Sequence, residues 1–235
     1  MLVFMRALPG RASRAGLDAP PASVTRSTTH ADQRRRILRA VGELVAERGY
    51  SDVTVEMIVK RAHVSFKTFY KHYSSKEACF VALFETAFAI TEGRIRDRLA
   101  EDLPWTEKVV LALKTLVEQI VADPVIARAV IVESLAVGPA VAERFDRATK
   151  ALVPLLREGR QFHPRGAELP ATIEDALAGA VFWSAYERLM VGESEELVEY
   201  MPVLLELILR TYIGQAEASA IARSGLHAAQ QPVLA

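Results

Sequence analysis

The chain has 235 residues, 51% hydrophobic and 25% charged, with 29 basic and 29 acidic side chains, a balance that suits one or two globular domains with a sizeable core. One cysteine, Cys79, excludes an internal disulfide framework and reads as a core thiol. The longest charge-free stretch within the predicted helices of the second half, Ala176 to Tyr186, is about half the roughly twenty residues that a membrane span needs. Charge is unevenly placed: residues 1–77 hold 14 Lys and Arg against 7 Asp and Glu, and the remainder 15 against 22. A basic first third on an acidic body confines any contact with a polyanion to the N-terminal part.

In chain order, residues 1–30 mix Ala, Pro, Ser, Thr and Arg without an apolar period and read as a flexible basic arm. Its Arg6, Arg11, Arg14 and Arg26 could reach phosphates or a minor groove; the competing reading is a plain disordered tail, part of it ahead of a start at Met5. Met1 to Met5 is apolar, but Arg6 and Pro9 interrupt it too soon for a signal peptide, so a cytoplasmic location is expected. The first helix is predicted from about Asp32 to Arg48, with Ile37, Leu38, Val41, Leu44 and Val45 on one face and Gly49 as its stop. Arg34, Arg35 and Arg36 open it, and Tyr50 and Val53 follow as seals of a small core.

Residues 54–73 then read as two short helices joined by a tight turn. Thr54 is an N-cap, and Val55, Ile58, Val59 and Ala62 line one face. His63-Val64-Ser65 makes the turn, and Ser65 is a second N-cap. Phe66, Phe69 and Tyr73 then fall at helical spacing, leaving Lys67, Thr68, Tyr70, Lys71 and His72 on the outer side. A short helix with an apolar inner face and an outer face of cations and hydroxyls fits a DNA major groove; the bland alternative is a solvated face.

This stretch resembles the helix-turn-helix of the TetR (tetracycline-repressor) family of transcriptional regulators. Thr54, Ala62-His63-Val64-Ser65, Thr68-Phe69-Tyr70, Tyr73 and Ser75-Lys76-Glu77 carry the likeness. His63 stands where the family has Gly, a substitution that a turn of positive φ tolerates at modest cost. The resemblance implies an all-α chain: a three-helix DNA-binding domain over 31–77, a helical effector-binding and dimerisation domain over 78–216, and a frayed tail over 217–235. It implies base-edge contacts from Lys67 and Thr68, and phosphate contacts from Thr54, Ser65, Tyr70, Lys71, His72 and Lys76. Phe66 either packs inward or touches a thymine methyl.

Beyond the motif, Ser74 and Glu77 suggest a capping box for a long helix to about Glu101, with Val81, Phe84, Phe88, Ile95 and Leu99 facing a core. Further helices are predicted from Pro104 to Asp123, from Ile126 to Val137, and from Ala140 to about Glu158 with a kink at Pro154. Residues 160–170 read as a loop. Two last helices follow, capped at Thr172 and Ser194, with a bend expected at Pro202. They are apolar over more than one face, a surplus that suggests a partner, and in the family the corresponding pair forms a homodimer.

The function this implies is a ligand-responsive DNA-binding regulator, a repressor that binds a palindromic operator in double-stranded DNA as a homodimer. Trp105, Phe145, Trp183, Tyr186 and Met190 are the candidate lining for a hydrophobic or aromatic small-molecule effector, although each is also a plausible core residue. The alternative is a helical dimeric interaction protein that reads no DNA. His30, His63, His72, His163 and His227 show no metal-ligand spacing, and Gly-rich phosphate loops and nucleophile elbows are missing. Neither metal, cofactor nor enzymatic activity is expected. Glu133 with Ser134, and Glu174 with Asp175, read as surface or capping residues.

Overall fold

The computed structural model describes residues 22–229, and every regular element among them is helical. Three helices make an N-terminal head: α1 (Ala22–Arg48), α2 (Val55–Ala62) and α3 (Phe66–His72). The body comprises α4 (Lys76–Arg98), α5 (Trp105–Ala122), α6 (Pro124–Ile131), α7 (Ser134–Val137), α8 (Pro139–Lys150), α9 (Val153–Glu158), α10 (Ile173–Val191), α11 (Glu196–Ile213) and α12 (Gln215–Ala229). Ile37, Val41 and Val45 of α1 meet Ile58 of α2, Phe69 of α3 and Phe80 of α4 in the head's core, and all are fully or almost fully buried. Each such large side chain contributes about 1.5–3 kcal/mol through burial, enough for a domain of this size to cohere. Cys79 is buried beside them as a core thiol, and burial pushes its pKa up to about 12.

Several boundaries differ from the sequence reading, each for a local reason. α1 begins at Ala22, ten residues ahead of Asp32. Residues 22–31 contain neither Gly nor Pro, so the ladder of hydrogen bonds extends backward unopposed. Part of the supposed arm is therefore helix; Arg6, Arg11 and Arg14 lie outside the described residues. Ser75, not Ser74, caps α4 by accepting from the Ala78 amide at 3.0 Å, and that helix stops at Arg98. Neither Thr172 nor Ser194 makes a side-chain cap.

Pro154 breaks rather than kinks the expected helix. α8 ends at Lys150, whose carbonyl a proline four residues on cannot satisfy, and α9 starts afresh with Pro154 in its first turn. Similarly, the run from Ile126 to Val137 divides into α6 and α7. The loop over 160–170 contains two short 3-10 turns, Gly159–Phe162 and Gly166–Glu168. Arg160 organises it by donating to the carbonyls of Gly166, Leu169 and Pro170 and pairing through two nitrogens with Glu174 at 2.7 and 3.0 Å. Glu174 is therefore no surface residue: it is fully buried, and although burial opposes its charge, Arg160 holds its carboxyl below the usual range.

The expected frayed tail is helical through Ala229. Gly214 turns the chain at φ +81, and α12 lays Ala218 and Ala222, spaced one turn apart, against α11 with both buried. Small side chains at that spacing let the two backbones approach closely, which explains how an Ala-rich segment packs.

Candidate nucleic-acid interface and the cavity behind it

Thr54 Oγ1 accepts from the Met57 amide at 3.2 Å and starts α2; Ser65 Oγ accepts from the Thr68 amide at 3.1 Å and starts α3. Between them His63 adopts φ 52, ψ 50, the left-handed conformation that ends a helix, while the Val64 amide reaches back to the Val59 carbonyl at 3.0 Å. Arg36 of α1 donates to the Ala62 and His63 carbonyls at 3.1 and 3.3 Å and pins the turn from behind. The orientation of α3 is thus set by caps at its start and by the buried ring of Phe69 on its inner side.

The outer side presents Phe66, Lys67, Tyr70 and Lys71 to solvent. Phe66, 49% exposed, does not pack inward as one of its two sequence readings had it. Lys67 and Lys71 make no hydrogen bond or ion pair among the described residues, whereas Arg61 nearby is committed to Glu43 and Glu47. Thr68 is half-buried, with its hydroxyl 3.0 Å from that of Ser65. His72 sits at the far end, its ring 4.1 Å from that of His30 and its Nε2 3.4 Å from Gln33 Oε1. Burial first, then the charges of His30, Lys71 and Arg34, lower its pKa.

Lys76 is placed differently from its neighbours. Its ammonium donates to the Tyr50 carbonyl at 2.8 Å and lies 4.1 Å from the centre of the Tyr50 ring, and burial lowers its pKa. On the other side of the same residue, the Tyr50 amide donates to Glu133 Oε2 at 3.2 Å. Tyr50, in the turn after α1, is therefore held by α4 through its carbonyl and by the junction of α6 and α7 through its amide.

Two further contacts tie the head to α6. Arg39 of α1 pairs with Asp123, which caps α6 by accepting from the Ile126 amide at 3.2 Å. Arg128 donates to the Ala46 carbonyl of α1 at 3.4 Å and to the Leu189 and Met190 carbonyls at the end of α10, at 2.6 and 3.2 Å. α6 also touches α1 directly at Gly42, where a Cβ would stand 2.3 Å from Ile126 Cδ1 and 3.2 Å from Leu83 Cδ2. A Cβ at this position would have to push the tip of the Ile126 side chain aside. Sequence reading missed Gly42, Tyr50, Arg128 and Glu133 as contact points because their partners lie far away in the chain.

Behind α6 lies a cavity of about 290 Å³ between α4, α5 and α6, closed by Phe182 of α10. Its wall is mainly apolar: Ala87, Phe88 and Ile90 of α4, Leu116 and Ile120 of α5, Ile126, Ala127, Val130 and Ile131 of α6. Thr91, Arg94, Gln119 and Asp123 add the polar groups.

The five aromatic and thioether residues expected to line an effector pocket do not come together, and none of them lines this cavity. Trp105 is buried elsewhere, donating from its ring nitrogen to the Leu155 carbonyl at 2.8 Å and packing on Phe162 and Tyr212. Phe145 packs with Phe84 and Phe182. Trp183 (59% exposed) stacks on Tyr186 at 5.2 Å on the outer face of α10, and Met190 lies exposed farther along it. Helical spacing places a residue on a face but does not say whether that face looks inward.

Among the described residues no helix is long and apolar enough to cross a membrane, and no group of three or more His, Cys, Asp or Glu could hold a metal ion.

Residues 37–83 match the family model described as bacterial regulatory proteins, tetR family. The chain is 36% identical over 72 residues to the uncharacterized HTH-type transcriptional regulator YvdT of Bacillus subtilis (strain 168), a match that covers 30% of this chain and 37% of that protein. It thus spans well under half the length of that curated relative. In structure it is similar to the fatty acid degradation regulator FadR from Bacillus halodurans, with TM-score 0.66, 22% identity and coverage of 74% of this chain and 97% of that one. It is similar also to the transcriptional regulator FadR from Bacillus subtilis in complex with stearoyl-CoA, with TM-score 0.56, 18% identity and coverage of 83% and 96%. At these identities the likeness establishes the fold. Residues 37–83, with the helix-turn-helix set by the caps and the left-handed turn described above, thus match the DNA-binding part of the tetR family of bacterial regulatory proteins, and they stand on an all-helical body of the same fold as these solved regulators.

Proposed function

We propose that the chain is a ligand-responsive transcriptional regulator, a repressor that binds a palindromic operator as a homodimer. The observation that carries the reading is the outer face of α3, where Lys67 and Lys71 make no hydrogen bond or ion pair among the described residues and flank the exposed Tyr70. Unpaired cations on a short, rigidly capped helix supply the phosphate neutralisation and base-edge donors that duplex recognition needs. Lys67 and Thr68 read bases; Thr54, Ser65, Tyr70, Lys71 and His72 set register on phosphates; Phe66 meets a thymine methyl. Lys76 serves instead to hold Tyr50, since its ammonium is already engaged.

Dimerisation is assigned to α10 and α11. Trp183, Met190 and Val191 on α10 and Val203 and Leu207 on α11 are large apolar side chains left exposed in one chain, and such a patch is covered by a partner in stable proteins. A two-fold axis there presents two copies of α3 to half-sites about 34–36 Å apart.

The effector works through α6. Ile126 is a wall of the cavity on one side and abuts Gly42 of the head on the other, and Asp123, Arg128 and Glu133 of the same region hold α1 and the turn after it. A ligand that displaces α6 therefore rotates the head, and it lowers operator affinity to the degree that it binds the rotated state better. That a protein of the same fold was solved with stearoyl-CoA supports an effector with an apolar tail.

The test is an electrophoretic shift of duplex DNA from upstream of the chain's own gene by the purified protein. The reading predicts a retarded complex of one dimer per site that competitor DNA of unrelated sequence does not remove. An absence of any shift at low salt would leave the helical interaction protein as the better description.

A further inference from the structure

The cavity between α4, α5 and α6 is graded from a dry interior to a charged rim. Ile120, Val130, Ile131 and Phe182 are buried at its floor, and Ile90, Arg94 and Ala122 are exposed at its mouth. Thr91 spends its hydroxyl on the Ala87 carbonyl at 3.1 Å. Asp123, the one acidic side chain in the wall, is neutralised by Arg39 and by the Ile126 amide. Arg94 is different: it makes no hydrogen bond or ion pair among the described residues. Half-buried Gln119 is the remaining polar group and offers an amide beside the mouth.

An apolar cavity with a single uncompensated cation at its entrance selects one class of ligand. A neutral hydrocarbon leaves Arg94 unused, and a cation is repelled by it. An aliphatic chain ending in an anion satisfies both parts, with the tail excluding water from the floor and the head accepting the planar guanidinium through two oxygens. The volume sets the tail's length, because about 290 Å³ lies at the lower edge of ligand-binding cavities. It encloses a chain of on the order of ten carbons, and the rest of an eighteen-carbon chain would extend past the open mouth.

We infer that this cavity is the effector site and that it takes a medium-chain aliphatic carboxylate or its coenzyme A thioester, with Arg94 holding the carboxylate of the one or a phosphate of the other and Phe88, Ile120, Ile126 and Phe182 enclosing the tail. The assignment rests on the ligand-responsive reading for its regulatory consequence but not for binding itself.

Calorimetric titration of the full chain with octanoate, decanoate, dodecanoate and stearate, and with 1-dodecanol as the uncharged match, tests it, with dodecanoyl-coenzyme A as a separate arm. Affinity rises with length to about twelve carbons and rises no further for stearate. Dodecanoate binds more tightly than dodecanol, and Arg94→Gln weakens dodecanoate about tenfold while leaving dodecanol unchanged. Because Arg94 is exposed, the variant keeps the wild-type melting temperature. Ala127→Leu, which fills the cavity from α6, removes binding of both. Tighter binding of the coenzyme A thioester than of the free acid, still sensitive to Arg94→Gln, assigns the anion held by Arg94 to a coenzyme A phosphate; the reverse order assigns it to the carboxylate of the free acid.

Equal affinity for dodecanoate and dodecanol in both the wild type and Arg94→Gln, or binding that Ala127→Leu leaves intact, overturns the inference. Operator shifts run on the same samples separate the two readings. Arg94-dependent binding without any change in DNA affinity keeps the site and defeats the regulation.

Discussion

Substituting Gly42 by Ala adds one methyl group at the seam between the head and α6. Its Cβ would stand 2.3 Å from Ile126 Cδ1 and 3.2 Å from Leu83 Cδ2, so something must move. Inserted methyls in closed cores cost about 1–3 kcal/mol. Here the obstructing atom is the tip of a flexible side chain whose other side borders an open cavity. Ile126 can turn into that space at a rotamer cost of about 0.5–1.5 kcal/mol. Replacing Gly by Ala within a helix returns roughly 0.5–1 kcal/mol. The net change in stability is therefore within about 1 kcal/mol of zero, while the cavity loses volume. Urea denaturation of Gly42→Ala is expected to give a midpoint close to the wild type, and calorimetry a dodecanoate affinity about tenfold lower, the scale on which one methylene is felt in an apolar site. A loss above about 2 kcal/mol with unchanged ligand affinity would show that Ile126 cannot yield toward the cavity, and the coupling route through it would fail.

Other outcomes follow from the same contacts. Glu133→Ala removes the acceptor of the Tyr50 amide and costs about 1 kcal/mol of stability; the ratio of operator affinities with and without dodecanoate should fall toward one, and an unchanged ratio would exclude the Tyr50 contact from the coupling. Trp183→Glu places a charge on the exposed face of α10 and should give monomers in sedimentation with an unaltered helical spectrum, whereas persistent dimers would place the interface elsewhere. His72 has a folded pKa below its ordinary value near 6.5 because of burial and neighbouring positive charge. The unfolded chain consequently binds the proton more readily: the stability tied to neutral His72 is fully present above that value and is lost as pH falls through it toward the lower folded pKa. Melting temperatures of wild type and His72→Gln from pH 8 to 5 should converge at the acid end, and parallel curves would remove His72 as the cause.

The head was legible in the sequence because its determinants are local. Thr54 and Ser65 cap within three residues of themselves, and the left-handed turn at His63 follows from a spacing that leaves no room for anything longer. Legibility declined where a choice depended on distant partners. Ser74 has the capping-box spacing to Glu77, yet the backbone makes Ser75 the cap. Glu174 looks like a first-turn surface acid until Arg160 arrives from the preceding loop. Trp183, Tyr186 and Met190 have the spacing of a core stripe, yet Trp183 and Met190 are exposed on α10 and Tyr186 is only partly buried against the core. The cavity was invisible for the same reason: its wall is assembled from ordinary aliphatic residues of α4, α5 and α6 whose periodicity also describes a filled core.

DNA recognition by the outer face of α3 is tested most directly by the salt dependence of operator binding. For the proposed wild-type dimer the logarithm of the association constant should fall linearly with the logarithm of salt concentration, at about 0.9 per phosphate neutralised. Lys71→Ala, removing one cation from each subunit, should reduce the slope by about two on every duplex, and Lys67→Ala should in addition cost about 1–3 kcal/mol on the operator alone by relaxing discrimination at one base pair in each half-site. Binding that is insensitive to salt, or equal losses for the two substitutions on operator and unrelated DNA alike, would contradict the assignment of α3 as the reading helix.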